Sequence, residues 1–301
     1  MNKVLVIGDL HLKHTSPYFE AQQQFLNWLD ENYRGNTFIF VGDELDSSAP
    51  DWEVFSMFAN FLEKQTQVYL LGGNHTHSRR KGSVLEGINH LPNVKVILEK
   101  EEITINNYKC LFLPFKYSLS MKEEYESLKG SYDFIFTHIT PPESAFGNEG
   151  INLSVQGTTI HGHIHLAKNF IHNENQHYII GVPIATRHGE IDNPIFEIVE
   201  GKIVEITHPS YFEYETVEFG QLPKNKNNVL NIINAPDSNS VNDFYKDYFV
   251  RDIELKRTEN ALQENITFNA ATIKIKFYTF CLENGVSKEI LDCGLRYLGE
   301  S

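Results

Sequence analysis

Cysteine, tryptophan and positive charge are all scarce in this 301-residue chain. The three cysteines, Cys110, Cys281 and Cys293, are odd in number and read as small apolar side chains rather than as redox groups. No stretch approaches about 18 consecutive apolar residues, which excludes a transmembrane helix. Nor does a charged, apolar and small-residue leader open the chain, because Met1-Asn2 runs directly into a strand-like segment. A reducing, cytoplasmic setting without membrane contact is therefore expected. Cations are outnumbered, with 26 Lys plus Arg against 40 Asp plus Glu and a net charge of −14. Residues 1–207 hold 16 against 26, and residues 208–301 hold 10 against 14. Neither part carries the basic footprint of a protein that binds DNA by itself. Internal repeats and low-complexity tracts are also missing, and the length leaves room for one large domain and a smaller one.

What the chain does have is a set of short motifs rich in Asp, His and Asn. In order they are Gly8-Asp9-Leu10-His11, Gly42-Asp43-Glu44-Leu45-Asp46, Gly73-Asn74-His75, Thr137-His138 and Gly162-His163-Ile164-His165. Singly each is bland: Asp after glycine is a common turn former, and Asn-His is an ordinary loop. Two histidines at i and i+2 suit a ligand pair on one extended edge. Together the motifs offer enough oxygen and nitrogen donors to surround two divalent cations.

Each motif is placed where a ligand could be held rigidly. Apolar runs at Lys3 to Ile7, Thr37 to Val41, Gln67 to Leu71 and Asp133 to Phe136 precede four of them. Runs of this kind are what strands buried on both faces look like. Ser16-Pro17 and Asp51 read as helix starts, with Phe19, Phe25, Leu26 and Leu29 on one apolar face and Val54, Phe55, Phe58, Phe61 and Leu62 on the other helix. Strand and helix alternate, which implies an α/β fold with a mainly parallel sheet, helices on its faces and a site beyond the carboxyl ends of the strands.

The constellation resembles the calcineurin-like metallophosphoesterase superfamily over residues 1–207. The resemblance implies a four-layer β-sandwich flanked by helices, with residues 1–208 as the metallophosphoesterase domain and 209–301 as a small α+β capping domain. It also implies that Asp9, His11, Asp43 and His165 hold one metal, and that Asp43, Asn74, His138 and His163 hold the other. His75 would be the catalytic acid that protonates the leaving alkoxide, with Asp46 accepting a hydrogen bond from it. One departure is visible, since Thr76 and His77 stand where the family usually has an acidic residue. Carboxylate, amide and imidazole donors without thiolate suit Mn²⁺, and Fe or Zn also accept them.

Within the superfamily, Tyr178 to Glu190 is most similar to a strand and loop of SbcD-type nucleases, with Val182 in place of the usual Ser. That finer resemblance implies an exonuclease or endonuclease acting on DNA ends beside an SbcC-type ATPase, and it is compatible with a homodimer. Arg79 and Arg80, with Lys81, follow the Asn-His motif, and Arg187 follows the strand after the histidine pair. All three arginines are candidates for phosphate contacts, though solvated or structural roles fit them equally. Pro194 to Thr207 reads as a hairpin, Val229 to Ile233 and Tyr248 to Leu255 as strands, Ser240 as a helix start, and two helices as the end of the chain. The acidic balance favours a second expectation, a stand-alone phosphoesterase acting on a nucleotide, cyclic nucleotide or phosphoprotein. A non-catalytic scaffold fits less well, because every ligand position holds a competent residue.

Overall fold

Residues 2–78, 82–118, 120–142, 150–186, 190–224 and 228–255 are described in the computed structural model of the chain. The first sheet opens with β1 (Val4–Ile7), β2 (Thr37–Phe40) and β3 (Gln67–Leu71). A two-residue ladder of β4 (His77–Ser78) and β5 (Gly82–Ser83) follows, and β6 (Val94–Ile97) returns to the sheet. The second sheet is built from β7 (Glu101–Ile105), β8 (Tyr108–Leu113), β9 (Ser131–Thr137), β10 (Gln156–His161), β11 (Lys168–His172) and β12 (Asn175–Ile179). A hairpin of β13 (Ile195–Val199) and β14 (Lys202–Ile206) then rejoins the first sheet. The strand orders are β14-β13-β1-β2-β3-β6 and β11-β12-β10-β9-β8-β7. Four strands of each sheet run parallel: β1, β2, β3 and the edge strand β6 in one, β8, β9, β10 and β12 in the other.

Period-two alternation divides every central strand between two cores. Val4, Val6, Ile39 and Val41 pack with Phe112, Phe134, Phe136 and Ile160 between the sheets. Leu5, Ile7, Phe38, Phe40, Val68 and Leu70 point the other way, beneath α1 (Tyr18–Tyr33) and α2 (Trp52–Glu63). Leu111, Leu113 and Ile135 meet Tyr125 of α3 (Met121–Glu126) on the outer face of the second sheet. The result is the α/β sandwich expected from the family resemblance, with α1, α2 and α3 on the outside. Strand and helix alternation alone suggests a single parallel sheet with helices on both faces. It cannot show that strands from two sheets cover each other.

Local signals hold to within a residue at most boundaries. Pro17 precedes the first turn of α1 rather than standing in it, and Asp51 sits at the N-cap of α2 without a side-chain cap bond. The hairpin at Pro194 to Thr207 is β13 and β14. Beyond it lies a third, parallel sheet, β15 (Tyr214–Glu218), β16 (Val229–Ala235) and β17 (Phe249–Leu255). It has its own core of Val217, Leu230, Ile232, Val241 and Tyr245, closed by α4 (Ser238–Phe244). Asp237 caps α4 by accepting from Ser240 N at 2.8 Å. The sheet meets the sandwich where the Tyr18 and Tyr214 hydroxyls bond at 2.8 Å and Phe212 packs edge-on against Tyr18. The two terminal helices expected from the sequence, with Cys281 and Cys293, lie outside the described residues. No helix among the described residues is long and apolar enough to cross a membrane.

Candidate metal centre

Because the central strands run parallel, the segments after β1, β2 and β3 and those after β9 and β10 emerge at one rim of the sandwich. Asp9, His11, Asp43, Asn74, His75, His138, His163 and His165 converge there. Three of them are held in the left-handed region, His11 at φ 45°, Asp43 at φ 53° and His163 at φ 74°. Non-glycine residues adopt such angles at a cost of about 1–3 kcal/mol each, and they cluster where geometry serves function. The neighbouring glycines permit close approach. A Cβ on Gly42 would lie 2.2 Å from His138 Nδ1, and one on Gly73 would lie 2.2 Å from Asp43 Oδ1.

Hydrogen bonds at the back of each ring decide what faces the centre. His11 Nδ1 lies 3.0 Å from Asp46 Oδ1, and His165 Nδ1 lies 2.6 Å from Glu190 Oε1. Ionised carboxylates only accept, so both rings donate from Nδ1, and in their neutral form they carry a lone pair on Nε2. Those two Nε2 atoms approach to 3.0 Å. Two lone pairs facing each other repel unless a cation lies between them. Ligands about 2.1 Å from an octahedral ion and at right angles are roughly 3.0 Å apart. A second set behaves alike. His138 donates from Nδ1 to the Val41 carbonyl at 2.7 Å, and its Nε2 lies 3.1 Å from both Asp43 Oδ2 and Asn74 Oδ1. His163 Nδ1 lies 3.0 Å from the same Asn74 oxygen.

Asp9 accepts from His163 N at 2.8 Å through Oδ1, while its buried Oδ2 has no hydrogen-bond partner among the described residues. Asp43 Oδ2 lies 3.9 Å from His11 Nε2, so this carboxylate stands between the two sets. Donor atoms of Asp9, His11 and His165 lie close enough to share one divalent cation and those of Asp43, His138 and His163 another, with His11, Asp43 and His75 a third such group. Asp43 Oδ2 beside His11 Nε2 and Asn74 Oδ1 beside His138 Nε2 extend the first two to the sets expected from the sequence. An orphaned carboxylate oxygen and convergent lone pairs are what such a pair would satisfy.

Without cations, a proton does part of this work. Burial opposes charge on His138, but Asp43 and Asp9 outweigh it and lift the ring to about 9. Burial likewise opposes charge on Asp43, yet His138 and His11 hold it well below the usual carboxylate range. Burial raises Asp9, helped by Asp43. His163 falls to about 4, through burial and then the charge on His138. Glu44 is the outlier. Its carboxylate is fully buried, no other described residue hydrogen-bonds it, and burial followed by the charge on Asp43 pushes it to about 8.

His75 is partly exposed, at 31%. Its N–H donates to Asp43 Oδ1 at 2.8 Å, and its Nδ1 lies 2.9 Å from the main-chain carbonyl of Asp46. The Asp46 carboxylate, expected to take that bond, is 3.9 Å from His75 Nδ1 and is engaged by His11 instead. Thr76 Oγ1 accepts from Gly73 N at 3.2 Å, so a hydroxyl closes the loop where the family usually has an acid. Tyr117 steadies the same loop by donating to the Asn74 carbonyl at 3.0 Å. Arg79, Arg80 and Arg187 lie outside the described residues. His14 pairs with Glu53 at 2.7 Å. His161, the last residue of β10, turns instead to His177, with ring nitrogens 2.9 Å apart.

Sequence reasoning did not single out Glu190, because nothing in its spacing ties it to His165. The signal was faint: an acid closing the loop after a strand that follows the histidine pair. In the sequence Glu44 stands out only as the middle of the Gly42 to Asp46 motif.

The family model described as calcineurin-like phosphoesterase matches residues 2–167, a span that contains all of the clustered donors and ends before Glu190. No curated protein matches the chain. Similar solved structures include one described as a novel archaeal phosphodiesterase, at 15% identity and TM-score 0.42, covering 68% of this chain and 99% of that one. A Vps29 single mutant from Entamoeba histolytica aligns at 17% identity and TM-score 0.34, covering 69% and 99%. Phosphopantetheinyl hydrolase from Mycobacterium tuberculosis aligns at 11% identity and TM-score 0.39, covering 60% and 90%.

Proposed function

The chain belongs to the calcineurin-like phosphoesterase family, and from that premise we propose that it is a Mn²⁺-dependent phosphodiesterase acting on DNA ends, of SbcD type, with an SbcC-type ATPase as partner. The observation that carries the phosphoesterase reading is the convergence of two donor sets on one shared carboxylate, Asp43, with the Nε2 atoms of His11 and His165 3.0 Å apart. Bound there, two divalent cations supply Lewis acidity toward phosphoryl oxygens and lower the pKa of a water.

The chain's own groups do the rest. Asn74 presents its oxygen to His138 and His163, which leaves its amide N–H groups to donate to a phosphoryl oxygen. His75 has Nδ1 engaged by the Asp46 carbonyl, so Nε2 is the ring atom left to protonate a leaving alkoxide. Asp46 fixes both His11 and His75, through its carboxylate and its carbonyl respectively.

The DNA reading draws on the third sheet, taken here as the start of a capping domain over residues 209–301. A cavity of about 350 Å³ is walled by Lys13, Ser16, Tyr18 and Thr186 of the sandwich and by Val229 and Val250 of that sheet. Lys13 follows the cluster residue His11 by two positions. A substrate long enough to leave the metal centre would meet this second unit. The net charge of −14 makes a partner the source of much of the DNA affinity. The same charge supports the alternative, a stand-alone phosphoesterase for nucleotides, cyclic nucleotides or phosphoproteins.

A gel assay separates the two. End-labelled duplex, hairpin and single-stranded DNA are incubated with Mn²⁺ beside cyclic nucleotides. Shortening of the labelled ends is expected. Hydrolysis of cyclic nucleotides with every DNA left intact would replace the nuclease reading with the alternative.

A further inference from the structure

Glu190 lies 25 residues beyond His165 and outside the span matched by the family model, yet its carboxylate touches the centre. One oxygen, Oε1, accepts from His165 Nδ1 at 2.6 Å. The other, Oε2, accepts from Thr186 N at 2.8 Å and from Thr186 Oγ1 at 3.3 Å. The Thr186 carbonyl in turn accepts from Lys13 Nζ at 3.4 Å, in the segment that follows His11. Close by, Asp192 accepts from Ala185 N and from the Ser210 hydroxyl, each at 2.8 Å. Both oxygens of Glu190 are thus committed to N–H and O–H donors, on two different segments.

We propose that Glu190 is a positioning residue for the metal centre: it fixes His165 in the Nδ1–H form and ties that ring to the main chain at Thr186. The proposal rests on reading His165 as a metal ligand. Only an acceptor on both sides can serve here. With Gln in place of Glu190, one side would present an NH₂ group. If that group faced Thr186, the Thr186 N–H would lose its acceptor. If it faced His165, the ring would have to accept through Nδ1 and carry its proton on Nε2. That proton would then point at His11 Nε2, into the space a cation would fill. A simple loop-closing role for Glu190 would leave the ring tautomer unaffected.

The test uses the full chain and the Glu190→Gln variant. Imidazole ¹⁵N–¹H correlation spectra of metal-free protein report the tautomer of each histidine, with His165→Gln used to assign the signal. Calorimetric titration with Mn²⁺ reports the two affinities. Wild type is expected to show His165 as Nδ1–H, and E190Q to show it as Nε2–H. One of the two Mn²⁺ dissociation constants should rise about 10–100-fold in E190Q, the usual scale for losing a group that orients a ligand. An Nε2–H tautomer in wild type would overturn the proposal, as would E190Q with the wild-type tautomer and both constants unchanged. Should E190Q fail to fold, the wild-type spectrum alone decides. Absence of any Mn²⁺ binding by wild type would overturn the metal reading instead, and the tautomer would still decide the anchoring role of Glu190.

Discussion

Glu44 offers a sharp test of the electrostatics behind the metal centre. Its carboxylate is fully buried next to Asp43, and it loses a proton only near pH 8 rather than near 4.5. A raised carboxylate pKa means that the folded chain binds the proton more tightly than the unfolded chain. Its contribution to stability is therefore fully present below about pH 4.5 and is lost as pH rises toward 8 and beyond. Between pH 5 and pH 7 the loss is about 2–3 kcal/mol, and by pH 9 it reaches about 4 kcal/mol. Glu44→Gln keeps the shape and removes the ionisation. Chemical denaturation of both proteins, stripped of metal, at pH 5, 7 and 9 measures the difference directly. Any fixed effect of the amide cancels when the pH values are compared. The variant should gain on wild type by these amounts as pH rises. A difference that stays constant from pH 5 to pH 9 would refute a neutral, buried Glu44.

Other perturbations address the ligands themselves. His138 carries a proton up to about pH 9 in the metal-free chain, so binding must displace it. Mn²⁺ affinity should rise with pH until about 9, and titrations in buffers of different ionisation enthalpy should show proton release near pH 7.5; pH-independent affinity would contradict this. Asp43→Asn should abolish both metal binding and hydrolysis of bis-nitrophenyl phosphate, whereas wild-type turnover in that variant would remove Asp43 from the centre. His75→Ala should keep both Mn²⁺ ions while slowing turnover of substrates with poor leaving groups by about 10²–10⁴-fold. Equal losses on good and poor leaving groups would deny it the role of acid.

Much of this arrangement is visible in the chain before any coordinates. The runs that became β1, β2, β3 and β9 are mostly apolar because both faces of each strand are covered, and four of the five motifs lie just past such a run. The pairing of sheets is not visible, since Phe134 and Phe136 read the same whether a helix or another sheet lies over them. Nor is the partner of Asp46. Proximity in sequence suggests only that it serves the site, and a left-handed turn at His11 is what brings Nδ1 to its carboxylate. Glu190 escapes notice because its link to His165 is purely tertiary. The strand β15 is hidden by Glu213, Glu215 and Glu218, whose charges break the apolar run expected of a strand.

Diffraction data from crystals soaked in manganese would test the central claim most directly. Two anomalous peaks should appear, one enclosed by Asp9, His11, Asp43 and His165 and the other by Asp43, Asn74, His138 and His163. A single peak elsewhere, or these side chains turned away from one another with no peak among them, would contradict it.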